Sequence, residues 1–493
     1  MNALTLLLIS APVLAFTWTY GGTRASILAQ VMPWASLAAL VGLLFLPQRH
    51  EGETWFMAEQ RVLRSVVKDP FFWTALAFVA YLVIPLFNVS LCPNCDWKQI
   101  AAGANPYPPF RFLPFCCNPH EHAGVIWWFG PGFLAALGVR HGLTRSGKRA
   151  FFEGLAWNGA ALAVLGIIQL VSGAKFPYWG EVAKPTHFFS VFGYSNAAGA
   201  FFALSYAISL GIWCQAMARV QAVGMDDKPL KHPFVSAHYP LVAVALNMFA
   251  VLATLCRAAM TISILFTALF VGYILLRAFS GDGWQRGLCF RHAVAACTLL
   301  LALFGAVFVY APPEVGRELR SINTFALADR VSGKGQYHTR VASAMMREFP
   351  FFGVGGWGYK HFCYSFMDDR DLRSVQNVGG VNVHNDYLQY LAEHGLVGMG
   401  LLVASLVLLA LPWWRTWQGL VKQAVAASRS SMGASTLAIF VVEPPVLWTL
   451  FALFGVFIHA FGDCPLRVPA ILVTMFTMLP AVCGFLPHPK RKK

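Results

Sequence analysis

Apolar runs long enough to cross a bilayer recur along almost the whole of this chain. A membrane-spanning helix needs about 20 predominantly apolar residues. Such runs lie near 3–19, 27–46, 71–90, 124–140, 151–172, 188–215, 238–255, 259–278, 293–311, 396–413, 446–461 and 467–486. With about twelve spans the chain reads as an all-α polytopic membrane protein. Composition agrees, since 57% of the residues are hydrophobic and only 12% charged, about half the charge of an average soluble domain. No basic segment precedes the first run and a second follows closely, so it reads as a retained helix rather than a cleaved signal.

The net charge of +15 does not point to nucleic acid. Lysines and arginines cluster in short connections between apolar runs, as the positive-inside rule requires. With the N-terminus cytoplasmic, the inside connections carry Arg49, Arg61, Arg64 and Lys68, then Arg140, Arg145, Lys148 and Arg149, then Arg286 and Arg291, then Arg415, Lys422 and Arg429. The basic tail "HPKRKK" also falls inside. The connection from about 312 to 386 falls outside despite its arginines, because loops beyond about 60 residues are largely exempt.

Four segments follow from this reading. Residues 1–187 hold N-terminal transmembrane helices and a Cys-containing outer loop at 92–122. Residues 188–311 are transmembrane helices carrying Asn196 and Arg257. Residues 312–395 form a long outer loop with Arg340 and His384, and 396–493 hold C-terminal transmembrane helices and the basic tail.

Cys92, Cys95, Cys116 and Cys117 share the first outer loop. An even set in an oxidising compartment reads first as two disulfides, although vicinal Cys116 and Cys117 do not easily pair with each other. His120 and His122 nearby make structural zinc the alternative. Either way the loop is expected to be a rigid cap.

Ionisable groups are costly at bilayer depth, so polar residues at span edges are the candidates for chemistry. In "FGYSNAAGAFFAL" the small residues favour close helix packing, while Asn196 stands near the outer end, able to donate to a polar substrate. In "TLCRAAMTISIL" Arg257 lies between two apolar runs with almost no loop between them. It either snorkels to water or clamps phosphate oxygens with its planar fork.

The stretch "YHTRVASAMMREFPFFGVGGWGYKHF" begins as an amphipathic helix, with Val341 and Met345 on one side and Arg340 and Arg347 on another. Pro350 ends that helix. Gly353, Gly355 and Gly358 fit G-x-G-x-x-G, but no strand or βαβ unit accompanies them, so a turn that lets backbone lie close is expected instead of a nucleotide site.

In "VNVHNDYLQYLAEHGLVG" Asp386 and Gln389 form a capping-box variant. A helix is expected from Asn385 or Asp386 to about His394, with Gly395 as a stop. His384 then sits just outside a helix N-terminus, whose positive end disfavours the imidazolium and attracts anions. This suits a general base, although a lone histidine there is also a common surface residue. In "IHAFGDCPLRVPAILVTMF" Asp463 closes a span and, facing an arginine, is expected to form a structural ion pair. One orientation places Asn196, Arg257, Arg340, His384 and Asp463 all on the outer face.

The order of "GYSNAAGAF", "CRAAM", "TRVASAMMREFPFFGVGGWGYKHF", "HNDYLQYLAEHGLVG" and "HAFGDCPLRVPA" resembles the O-antigen ligase and O-antigen polymerase family of bacterial membrane glycosyltransferases, over roughly 188–475. The resemblance implies a GT-C-like fold in the inner membrane with its active site facing the periplasm. It implies inverting transfer without metal or other cofactor, from a glycan on undecaprenyl diphosphate to a sugar hydroxyl. The acceptor is lipid A core for a ligase, or a growing glycan or a protein for its relatives. His384 matches the family's loop histidine, the base for the acceptor, and Arg257 and Arg340 match the arginines that hold diphosphate. Cys256 stands where serine is commoner, and the Cys92–Cys117 loop has no counterpart in that pattern. A polytopic glycan transporter is the reading outside this class, but the chain shows no internal repeat of the kind transporters carry.

Overall fold

The computed structural model describes residues 3–92, 98–99, 102–180, 187–224, 232–279, 294–302, 305, 316–317, 335–367, 382–430 and 443–486. The elements used below are α1 (Ala3–Trp18), α2 (Ala25–Leu44), α3 (Trp55–Val67), α4 (Pro70–Val83), α5 (Pro119–Leu137), α6 (Arg145–Val171), α7 (Ser195–Gly224), α8 (Pro233–His238), α9 (Leu241–Ala253), α10 (Arg257–Phe279), α11 (Gly335–Glu348), α12 (Gly358–Phe362), α13 (Asp386–Ser430), α14 (Pro444–His459) and α15 (Pro469–Val482). Among the described residues there is no β-strand beyond two isolated bridges.

Eight helical stretches are long and apolar enough to cross a membrane, and α1, α14 and α15 are shorter apolar helices. This is a polytopic membrane protein. The expected span at 293–311 is described only at 294–302 and 305.

Helix starts follow local chemistry. Thr54, Asp69, Asn118 and Thr144 each accept a backbone N–H of the first turn they precede. Proline opens α4, α5, α14 and α15, where its missing N–H costs nothing.

The hydrophobic core is built around α7, whose apolar window is wholly buried and which packs against α14, α9, α10 and α6. Small residues permit this closeness. A Cβ on Gly199 would lie 2.6 Å from Cys256 Cβ, and one on Gly211 would lie 2.7 Å from Trp448 Cβ.

The bundle has two chemically different ends, joined by the stretch Pro119–Gly142. At one, Asp69 pairs with Arg140 Nε and His141 Nε2, both at 2.8 Å, and the Arg145 and Arg149 guanidiniums donate to the Gly484 carbonyl. At the other, Glu121 pairs with Lys360 at 2.8 Å and His361 at 2.6 Å, tying α5 to the segment 335–367.

That segment has its own small core of Phe115, Cys117, Val341, Ala342, Met345, Phe349, Tyr359, Phe362 and Val383. As the amphipathic pattern predicts, Val341 and Met345 are fully buried on α11 while Arg340 and Arg347 are exposed. The glycine-rich turn after Pro350 does lie backbone to backbone against α13. Val354 and Gly355 N–H donate to the Ala392 and Glu393 carbonyls at 3.1 and 2.8 Å, and Leu396 and Val397 N–H donate to Pro350 and Phe351 at 2.9 and 3.0 Å. Gly395 makes the reverse pairing possible by leaving the helix with φ 60° and ψ −169°.

The cysteine loop departs from the two-disulfide expectation. Cys92 is disulfide-bonded, Cys95 lies outside the described residues, and Cys116 and Cys117 are buried free thiols. Nor is His122 a zinc ligand, because its Nε2 meets the Leu82 carbonyl at 2.7 Å and its Nδ1 accepts from Gly356 N–H at 2.7 Å. Among the described residues such hydrogen bonds also tie the loop together, with Asn88 Nδ2 donating to the Phe110 and Pro114 carbonyls.

Candidate functional site

Gln389 is the residue around which the His384 turn folds. Its Oε1 accepts Val383 N–H at 3.0 Å, and its Nε2 donates to Asn382 Oδ1 at 3.2 Å and Glu393 Oε1 at 3.1 Å. Asn385 is the cap, its Oδ1 accepting Leu388 N–H at 3.2 Å. Asp386 has a different task. Its buried Oδ2 accepts Leu466 N–H at 2.6 Å, and its own N–H donates to the Ala460 carbonyl. The helix therefore starts where the sequence predicts, while Asp386 ties it to the connection between α14 and α15.

These ties hold His384 in the left-handed region, at φ 53°, a conformation that costs a non-glycine residue roughly 1–2 kcal/mol. The strained turn aims Nδ1 at Asp463 Oδ1, 3.3 Å away. A carboxylate only accepts, so Nδ1 carries a hydrogen, and Nε2 keeps its lone pair whenever the ring is neutral. The His384 side chain is 54% exposed while that of Asp463 is 3% exposed. The result is a histidine with a buried orienting partner and an open basic nitrogen.

Among the described residues Asp463 is not paired with an arginine, contrary to the sequence expectation. Its carboxylate accepts from Tyr194 Oη at 3.0 and 3.1 Å, from Asn196 Nδ2, from Cys464 N–H at 2.9 Å and from His384. Burial pushes its pKa up, but the hydrogen bonds from His384 and Asn196 and the positive histidines nearby hold it below the usual carboxylate value. Burial and the adjacent carboxylate push the Tyr194 phenol well up, which keeps it a donor. Asn196 thus donates to Asp463 and to Tyr194 Oη. His384 Nδ1, an Asp463 oxygen and Cys464 Sγ lie within 4.8 Å of one another. Four donors already occupy the roughly four acceptor positions of the carboxylate, so it is built as a hydrogen-bond centre.

Arg257 opens α10 after a connection of three residues. Leu255 adopts φ 55°, and Thr254 Oγ1 accepts Cys256 N–H at 3.3 Å. Cys256 Sγ lies 3.9 Å from His459 Nε2, and Asp463 N–H donates to the His459 carbonyl. This chain of contacts puts half-buried Arg257 at the Asp463 end of the bundle. Arg340 is reached from the other side. Two residues before it, buried His338 contacts Tyr359 Oη at 3.0 Å; burial, with the nearby charge of His384, pushes its pKa down to about 4. Helix α11 packs against α13, the helix that begins two residues after His384. Arg347 lies on the exposed side of α11, two turns further on.

Sequence reasoning passed over Tyr194, His338 and Cys464. Tyr194 stands two residues before Asn196, and this spacing at a helix start was the only local signal for it. The other two depend on long-range contacts.

No curated protein matches this chain. Residues 242–403, which include Arg257, Arg340 and His384 but not Asn196 or Asp463, match the family model described as O-antigen ligase.

Proposed function

We propose that this protein is an inverting, metal-independent glycosyltransferase that moves a glycan from undecaprenyl diphosphate to a sugar hydroxyl of lipid A core, on the periplasmic face of the inner membrane. The observation that carries this reading is the His384–Asp463 pair, in which Nδ1 faces a buried carboxylate while the histidine side chain is 54% exposed. The acceptor O–H gives its proton to Nε2. Its oxygen forms a bond to the anomeric carbon as the bond from that carbon to the diphosphate oxygen breaks. The electron pair leaves on the diphosphate, and a single displacement inverts the anomeric centre. Asp463 stabilises the imidazolium that forms and keeps the ring in one tautomer, the role a carboxylate plays beside a catalytic histidine.

Arg257 and Arg340 hold the diphosphate, and their guanidiniums meet charge that grows as it departs. Arg257 opens the long helix α10, whose N-terminal N–H groups also favour an anion. These fixed positive charges take the part a divalent cation plays elsewhere.

The test is transfer in vitro from a lipid-linked donor, with lipid A core and a growing glycan offered separately. Product on lipid A core supports ligation, and product only on the glycan makes the protein a polymerase. His384→Ala is expected to lower turnover by about 10²–10⁴ with the protein still folded. Full turnover in that variant removes the base from this mechanism. Movement of donor across sealed vesicles without a new glycosidic bond makes it a transporter instead.

A further inference from the structure

Glu393 and Arg467 form a buried ion pair, with Arg467 Nη1 2.6 Å from Glu393 Oε2 and side chains 4% and 1% exposed. Neither residue touches the reacting centre described above, yet each is bonded into a segment that does. Glu393 Oε1 accepts from Gln389 Nε2 at 3.1 Å, and Gln389 in turn holds Val383 N–H and Asn382, the two residues before His384. Arg467 ends the short turn Pro465–Arg467 that follows Asp463 and Cys464. Glu393 Oε2 also accepts Trp357 N–H at 3.2 Å, and the Arg467 guanidinium lies 4.2 Å from the Trp357 ring centroid. Trp357 belongs to the glycine-rich turn of the segment that carries Arg340. Three separate stretches, 353–358, 382–395 and 463–467, therefore meet on one charge pair.

As a stability device this pair is poorly made. Arg467 Nε and Nη2 are buried and find no hydrogen-bond partner among the described residues, and a buried ion pair is often no more stabilising than apolar residues of the same volume. What it does supply is geometry, because a guanidinium fork and a carboxylate fix distance and angle together.

We propose that Glu393 and Arg467 are positioning residues. They set the register between the His384 turn and the Asp463 turn, and they dock the glycine-rich turn, with its Arg340 segment, onto both. The inference rests on the glycosyl-transfer reading and specifies how that site is aligned.

The test uses the full-length protein in detergent or nanodiscs with a lipid-linked donor. Removing one partner leaves a buried charge and threatens folding, so the pair is removed together as Glu393→Gln with Arg467→Met. Gln389→Leu is made in parallel, cutting the link to Val383 and Asn382 while leaving the ion pair. Both proteins are expected to keep a cooperative melt and a monodisperse elution profile, with kcat down at least tenfold and donor KM within about twofold. In a His384→Ala background the same changes are expected to have no further effect on residual turnover, since residues that act as one unit are strongly non-additive. A folded Glu393→Gln/Arg467→Met protein with wild-type kcat overturns the proposal, as does a loss confined to KM or an equal loss on top of His384→Ala. If the pair fails to fold, Gln389→Leu decides by the same criteria. Wild-type protein that makes no glycosidic bond overturns the transferase reading, and this inference with it; wild-type transfer with unaffected variants overturns the inference alone.

Discussion

A base that takes a proton from a sugar hydroxyl must present one ring nitrogen while the other is held. His384 meets that demand through Asp463, 79 residues away in sequence, and the division of roles between Asp463 and Asp386 is open to measurement. Asp463→Asn keeps the shape but loses the charge that fixes the tautomer, so turnover is expected to fall roughly 10²-fold or more, with little change in melting. Asp386→Ala removes the acceptor for Leu466 N–H in a fully buried site, which is expected to cost about 1–3 kcal/mol of stability and to reduce turnover per folded molecule far less. A melting curve and a single-turnover assay on each variant separate the two, and equal effects on both readouts would contradict the assignment. Because the pKa of Asp463 is lowered in the fold, its pairing contributes above the unfolded value of about 3.9 and is lost only as pH falls through the lower folded value. Protonation of Asp463 thus takes no part in changes above about pH 5. The helix start after His384 was legible in sequence because its Asn385 cap acts within one turn, whereas Gln389, read as the capping-box partner of Asp386, bonds Val383, Asn382 and Glu393 instead. The Asp463 partnership was not legible, since nothing local distinguishes an aspartate at the end of a span from one bound to an arginine.

At the scale of elements, the interlock between the glycine-rich turn and the break in α13 is the feature that carries the segment 335–367 to the membrane helices. A Cβ on Gly395 would lie 2.4 Å from the Phe351 carbonyl carbon, and one on Gly353 would lie 2.4 Å from that of Glu393. Gly395→Ala meets backbone on a rigid neighbour and a positive φ together, so loss of the monodisperse folded species is expected. Gly400→Ala, five residues on, has nothing within 4 Å and is expected to change stability by no more than about 1 kcal/mol. Detergent-solubilised size-exclusion profiles of the two compare them directly. The sequence showed a stop at Gly395 and a close-backbone turn at 353–358, but not that each serves the other, because that pairing is tertiary.

Helix α11 adds a pH dependence of its own. His338 is held neutral, with its pKa pushed down to about 4, so the unfolded segment binds more protons than the folded one between about pH 6.5 and 4. Its stability is therefore full above the unfolded value and falls as pH drops through this window, by an amount on the order of 3 kcal/mol. Protection of the amides over 338–349, taken relative to the intrinsic exchange rate at each pH, is expected to be lower at pH 5 than at pH 7, and a His338→Gln protein to show a weaker dependence. Equal protection at both pH values in the wild type would remove this histidine from the account.

For the whole molecule, the positions of the apolar helices were readable because about 20 residues of hydrocarbon-compatible sequence have few other fates. How they pack was not, since lipid tails are as apolar as leucine and the contacts are chosen by small residues and shape. The large exposed side chains, among them Trp34, Phe87, Val171 and Phe461, fit a lipid-facing surface. The site and the basic cluster around Arg140 and Arg145 lie at opposite ends, and the positive-inside rule then assigns the basic end to the cytoplasm. Exposed Arg340 and Arg64 test that assignment. In sealed right-side-out vesicles, Arg340→Cys is expected to react with a membrane-impermeant maleimide, whereas Arg64→Cys reacts only after lysis. Wild-type protein sets the background, because its described free cysteines are buried or half-buried. The reverse pattern would put His384 on the cytoplasmic side, where an acceptor presented in the periplasm never reaches it, and the proposed direction of transfer would have to be abandoned.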